Sequence, residues 1–135
     1  MTFQESISTC MGKYFTFSGR ATRSEYWWFF LFGYLLTAVA TIGDIHTVLI
    51  ELAHMMEHDK YYLGDDFEAY VNIALVSLIL FIPSISAISR RLHDIGRSGW
   101  WQLIAVTGIG IPVLVYWLVQ ESAQGTNQYG DAPIS

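Results

Sequence analysis

Long uncharged runs separated by short charged stretches dominate the pattern of this chain. Three windows lack Asp, Glu, Lys and Arg altogether: 26–43 "YWWFFLFGYLLTAVATIG", 69–89 "AYVNIALVSLILFIPSISAIS" and 98–120 "SGWWQLIAVTGIGIPVLVYWLVQ". A helix crosses a hydrocarbon core of about 30 Å with about 20 apolar residues, and each window meets that length. In a soluble protein, three such helices would need amphipathic partners to cover them, and the rest of the chain is too short to supply any. The pattern therefore predicts an all-α integral membrane protein with three transmembrane helices, over 24–43, 69–89 and 99–120.

Weaker periodicities fill the intervals. Phe3, Ile7, Met11 and Tyr14 share one helical face, which predicts a short interfacial helix over 3–17. Ile45, Val48, Leu49, Leu52 and Met56 repeat with the same period, either as an outward continuation of the first span or as a short helix in the external loop. "TRSE", residues 22–25, has the form of a capping box before the first span. Gly33, Thr37 and Thr41 make a small-residue face suited to close helix approach. Pro83 with Ser84, Ser86 and Ser89, and Gly108, Gly110 and Pro112, predict bends in the second and third spans. Residues 121–135 read as a turn-rich polar tail.

Charge gives the spans an orientation. Lys13, Arg20 and Arg23 precede the first; Arg90, Arg91 and Arg97 lie between the second and third. The 44–68 connection carries Asp44, Glu51, Glu57, Asp59, Asp65, Asp66 and Glu68, with Lys60 its only basic residue. Positive residues stay on the cytoplasmic side. The N-terminus and a basic loop over 90–98 are thus expected inside, and the acidic loop and tail outside. Trp27 and Trp28 open the first span and Trp100 and Trp101 the third, as interface anchors. Composition agrees: 53% of residues are hydrophobic and only 14% charged, against about 25% charged in ordinary soluble domains. The start of the chain lacks the basic–apolar–small pattern of a signal peptide, so the spans are expected to remain in the mature protein.

Chemistry is sparse. "HMMEH", residues 54–58, fits H-x-x-E-H, in which two histidines on one helix face hold zinc beside a glutamate base. No convincing third ligand follows at a helix-defined position, His46 and Asp59 being the candidates, and no metal or other cofactor is expected. No G-x-S-x-G elbow or Gly-rich phosphate loop occurs, and nothing points to nucleic acid. The three uncharged windows carry no acidic or basic residue to mark a proton path. Cys10, the single cysteine, reads as a small packing residue.

The concentrated chemistry is "RRLHDIGRSGWW", residues 90–101. With the segment before the first span it defines a candidate cluster of Arg20, Arg23, Glu25, Arg90, Arg91, His93, Asp94 and Arg97. Asp94 is expected to pair with an arginine of its own loop or with Arg20 or Arg23, beside Glu25. Guanidinium forks suit lipid phosphate or a partner's carboxylate. The leading expectation is a non-enzymatic module binding anionic lipid or a protein partner through this cluster. The alternative is a subunit of a small oligomeric channel or transporter, on the strength of the bends and the small-residue face. A homo-oligomer or a membrane-protein partner fits either.

"FSGRATRSEYWWFFLF" followed by "RRLHDIGRSGWWQLI" resembles the bacterial membrane family known as domain of unknown function 805. The resemblance covers nearly the whole chain and implies a small inner-membrane protein. It implies a multi-pass location in a bacterial cytoplasmic membrane and supplies no activity. The tail "GTNQYGDAP" departs from the family's G-x-N-x-Y/F-G-x-D-P form: Asp131 directly follows Gly130, and Ala132 precedes the proline.

Overall fold

The computed structural model describes residues 1–57 and 71–133, and among them the chain is helical, with no strand beyond an isolated bridge between Asn127 and Gly130. In chain order the elements are α1 (Phe3–Gly12), α2 (Arg23–Glu57), α3 (Val71–Asp94), a 3-10 segment (Gly99–Thr107) and α4 (Gly110–Val119). Within α2 and α3, Arg23–Ile42 and Ile73–Asp94 are long and apolar enough to cross a membrane. The chain divides into two compact units, Met1–Phe32 with Phe81–Ser135, and Gly33–Leu80.

In the first unit α1 begins with a complete capping box. The Thr2 side chain accepts from the Glu5 N–H, and the Glu5 carboxylate accepts from the Thr2 N–H at 2.8 Å. This satisfies two of the donors that a helix start leaves open. α1 turns Ser6 and Cys10 inward, while Phe3 and Met11 keep more than a third of their surface outside. Phe3 also meets Trp28 and Phe32 of α2 edge-on, at 5.8 and 6.4 Å between ring centroids.

The start of α2 has half of the box expected at "TRSE". The Glu25 N–H donates to Thr22 Oγ1 at 3.0 Å, but the Glu25 carboxylate is used elsewhere. The far end of α2 settles the choice left open by the 45–56 periodicity. The helix continues without a break to Glu57, since no Pro interrupts the apolar repeat after Gly43. Of the H-x-x-E-H match, the side chains of His54 and Glu57 and the whole of His58 lie outside the described residues.

α3 keeps its helical course through the buried Pro83 to Asp94, so Arg90–Asp94 are its last turn rather than the loop expected at 90–98. Serines on its inner face hold the α1–α2 connection. Ser86 Oγ lies 2.6 Å from the Thr16 carbonyl and 3.1 Å from that of Lys13, and the Ala21 N–H donates to the Arg90 carbonyl at 3.0 Å.

In the second unit the Gly33–Thr37–Thr41 face is partly self-satisfied. Thr37 and Thr41 hydroxyls donate to the carbonyls of Gly33 and Thr37, each at 2.8 Å, the four-residue back-bonding of helix threonines. A Cβ on Gly33 would lie 3.6 Å from Leu80 Cδ1.

The third apolar window departs from the expected continuous span. Ser98 caps a 3-10 segment, Gly108 adopts φ 70°, and an α-helix of only 10 residues follows. The rings of Trp101 and Trp117 meet edge-to-face with centroids 5.6 Å apart; in a continuous helix these positions would be about 24 Å apart. The window is therefore a hairpin. Its turn needs Gly108 for the left-handed backbone and Gly110 for close approach, because a Cβ there would overlap the Ile104 carbonyl. The tail consequently returns to where the hairpin began: the Ala123 N–H donates to the Asp94 carbonyl at 3.2 Å. This corrects the expectation that the tail and the "RRLHD" stretch lie on opposite sides.

Candidate functional site

At the end of α3 the first unit encloses three buried ion pairs, built on two carboxylates. Glu25, from the first turn of α2, accepts from Arg90 Nη1, and the two side chains are 3% and 1% exposed. Cys10 of α1 closes the pair, with Arg90 Nη2 3.7 Å from its Sγ and Glu25 Oε1 3.8 Å away. The Ser6 hydroxyl donates to the Glu25 carbonyl. Arg90 Nε has no partner among the described residues. Burial pushes the Cys10 thiol up to about 11, even with the Arg90 cation opposing the shift. The thiol is a neutral packing group rather than a nucleophile.

Asp94 is the second centre and is wholly buried. Its Oδ1 accepts from Arg20 Nε at 2.9 Å and its Oδ2 from Arg91 Nη1 at 2.5 Å. One carboxylate thus faces two guanidinium groups. Counting Arg90 and Glu25 as well, three buried cations meet two buried carboxylates. Carbonyl oxygens of the hairpin's return and of the tail offset the excess positive charge. Arg91 Nε donates to the Leu118 carbonyl at 3.1 Å and its Nη2 to that of Gln120. Trp27 Nε1 also donates to Leu118 at 3.3 Å, and Arg23 Nη1 reaches the Val119 carbonyl at 3.5 Å. These are the terminal carbonyls of α4, which carry its negative dipole end and lack partners within the helix.

The guanidinium of Arg20 organises the tail in the same way. Nη2 donates to Ala123, and Nη1 to Gly125 at 2.6 Å and Gly130 at 3.3 Å. Gly125 and Gly130 both have positive φ, which lets the chain curl around the cation. His93 stacks flat on Tyr129, with centroids 3.9 Å apart and planes 3° from parallel, and its Nδ1 is 3.1 Å from the Gly19 carbonyl. Asn127 completes the clasp. Its Nδ2 donates to the His93 carbonyl at 2.9 Å and its Oδ1 accepts from the Tyr129 N–H at 2.9 Å.

The structure thus brings together Arg20, Glu25, Arg90, Arg91, His93 and Asp94, and leaves two candidates outside the buried network. Arg97 lies over the Trp117 ring, 4.1 Å from its centroid, as a cation–π contact. Arg23 is exposed, and among the described residues it reaches only the Val119 carbonyl, at 3.5 Å. It lines an open groove with Ser24, Trp27, Trp28 and Leu31. Of the four expected anchors, Trp28, Trp100 and Trp101 are exposed and Trp27 is half-buried against α4. Composition and periodicity gave no hint of Cys10, Asn127 or Tyr129 as members. The tail motif held the signal for the last two, since its glycines and asparagine are the residues the clasp uses.

A family model described as "Protein of unknown function (DUF805)" matches residues 14–131. The chain is 36% identical over 123 residues to "Inner membrane protein YhaI" of Escherichia coli strain K12, covering 90% of this chain and 88% of that protein. It is 29% identical over 122 residues to "Inner membrane protein YhaH" of the same strain, covering 90% and 89%. No solved structure matches.

Proposed function

This chain belongs to the DUF805 family of proteins of unknown function, and we propose that it is a non-enzymatic inner-membrane module that binds anionic lipid at the Arg23 groove. α2 and α3 cross the bilayer, with the N-terminus and the end of α3 on the cytoplasmic side. The inner-membrane location follows the names of the relatives. The orientation follows the clustering of Arg20, Arg23, Arg90, Arg91 and Arg97 at one end and of acidic residues in the 44–68 connection.

A division of labour among the arginines carries this reading. The forks of Arg20, Arg90 and Arg91 face carboxylates, carbonyls and a thiol, so these residues hold α1, α2, α3 and the tail together and have little left for a ligand. Arg23 is exposed and lines its groove together with two indoles and Leu31. A cation beside apolar lining matches a phosphate headgroup and the start of its acyl chain. Trp28, adjoining the groove, is an amphipathic ring of the kind that settles at headgroup level. His93 has a fastening role here: its Nδ1 faces a backbone carbonyl and one ring face is covered by Tyr129.

Native mass spectrometry from nanodiscs containing phosphatidylglycerol and phosphatidylcholine tests this reading. Arg23→Ala should retain phosphatidylglycerol about fivefold less than wild type, the ratio expected from about 1 kcal/mol per surface cation. Phosphatidylcholine retention and the unfolding temperature should be unchanged. Equal phosphatidylglycerol retention in a folded Arg23→Ala protein contradicts the proposal.

A further inference from the structure

We infer that the third apolar window is a half-membrane hairpin that lies among the acyl chains of the cytoplasmic leaflet and returns the C-terminus to the cytoplasm. The inference rests on the reading of α2 and α3 as membrane-crossing helices, but not on lipid binding by Arg23. Four observations converge on it.

The first is length. The 3-10 segment has 9 residues and α4 has 10. At about 2.0 Å per residue the first is about 18 Å long, and at about 1.5 Å per residue the second is about 15 Å long. Both arms match about half of a 30 Å hydrocarbon core, and neither crosses it.

The second is anchoring. Both ends of the hairpin are fixed to the same polar cluster. Its entry at Gly99 follows the end of α3 at Asp94 after a short turn over 95–98, and its exit is held by Arg91 on Leu118 and Gln120 and by Arg20 on Ala123. A segment fastened at both ends to one polar assembly cannot have its ends on opposite faces of a bilayer.

The third is the chemistry of the turn. Hydrocarbon offers no partner to a bare backbone polar group, so a turn within it must satisfy its own. The Thr107 hydroxyl donates to the Ile104 carbonyl at 2.7 Å and accepts from the Gly110 N–H at 3.1 Å. The N–H groups of Gly108, Ile109 and Ile111 donate to the carbonyls of Ala105, Thr107 and Gly108, at 3.0, 2.8 and 3.1 Å. The turn is closed by its own atoms.

The fourth is the surface. Val106 and Ile109 at the tip are 86% and 87% exposed, and Leu103, Ile111 and Tyr116 along the arms are more than half exposed. No charged residue occurs between Arg97 and Glu121. An uncharged hairpin exposing apolar side chains, in a chain with two membrane-length helices, fits lipid tails rather than water.

Single cysteines test both parts. Phe15→Cys in the α1–α2 connection and Gln124→Cys in the tail are probed with a membrane-impermeant maleimide in right-side-out and inside-out vesicles. The buried native Cys10 serves as the silent background. Both sites should label in inside-out vesicles only. Labelling of Gln124→Cys from the opposite face to Phe15→Cys overturns the hairpin and restores a third crossing. A nitroxide at Val106→Cys should be reached by oxygen in preference to a water-soluble nickel chelate. Preferential access by nickel overturns it, and so does spin–spin broadening that shows a second copy covering the tip. Release of the protein by an alkaline carbonate wash would remove the membrane reading itself, and the hairpin with it. Normal labelling alongside unchanged lipid retention in Arg23→Ala would leave the hairpin standing and sink only the lipid site.

Discussion

Arg20 Nε and Asp94 Oδ1 are 2.9 Å apart across 74 positions of sequence, and both side chains are sealed from solvent. The pair ties the segment that enters α2 to the last turn of α3, and the same arginine grips the tail. What looks like a basic patch in the sequence is largely an internal fastening, and this sets the expected effect of most substitutions.

Asp94→Asn should be among the most damaging changes in the chain. It leaves the guanidinium groups of Arg20 and Arg91 buried without their shared counter-charge, at a cost of about 3–5 kcal/mol. Denaturant unfolding in mixed micelles should show the loss, together with faster proteolysis of the tail.

The tail clasp should be separable from the core. Tyr129→Ala removes the ring stacked on His93, and Asn127→Ala removes two hydrogen bonds, each worth about 1 kcal/mol. Limited proteolysis between Ala123 and Asp131 should accelerate about fivefold or more for Asn127→Ala, while the unfolding temperature of the helical core changes little. A co-operative loss of the whole fold would mean that the tail is integral rather than clasped on.

Cys10 predicts an alkaline weakness. Its folded thiol sits at about 11, against about 8.5 in an unfolded chain. Between these values the unfolded state binds fewer protons than the folded one, so stability falls as pH rises. Below about 8.5 the contribution is fully present. Wild type should lose stability between pH 9 and 11 more steeply than Cys10→Ala, and the thiol should resist maleimide at pH 7 until the protein unfolds. Identical pH profiles for the two proteins contradict the burial of Cys10 against Glu25 and Arg90.

Gly99 faces the α3 backbone at Ser89, where an added Cβ would overlap the Ser89 side chain and press on its Cα. Gly99→Ala should destabilise by about 1–3 kcal/mol through overpacking, as read by thermal unfolding. Gly96→Ala, open in space but at φ 77°, should be affected through backbone strain instead.

The sequence pattern made the helices legible because lipid selects long uncharged runs, and α2 and α3 follow that rule. It also placed Asp94 beside arginines, since a carboxylate amid so much positive charge has few other resting places. The hairpin is not legible because hydropathy registers composition rather than backbone path: Gly108, Gly110 and Pro112 predict a bend, whereas Gly108 reverses the chain. The fate of Arg90 and Arg91 escaped for a related reason. Charged residues beside a span read as water-facing, unless Glu25 and Asp94 are recognised as partners supplied by distant and adjacent sequence. Cys10 and Ser6 flank the Phe3–Ile7–Met11 stripe of α1, and small polar or weakly polar side chains beside an apolar stripe carry no periodic signal of burial.

The claim that these arginines are internal fastenings is tested most directly by a double-mutant cycle on Glu25 and Arg90, read as unfolding free energy in mixed micelles. Glu25→Leu and Arg90→Met should each cost about 3–5 kcal/mol, because each strands a buried charge. The double replacement should cost clearly less than their sum, with a coupling of about 2 kcal/mol or more. Additive costs, or an Arg90→Met protein of wild-type stability that has lost its bound phosphatidylglycerol, would contradict the account.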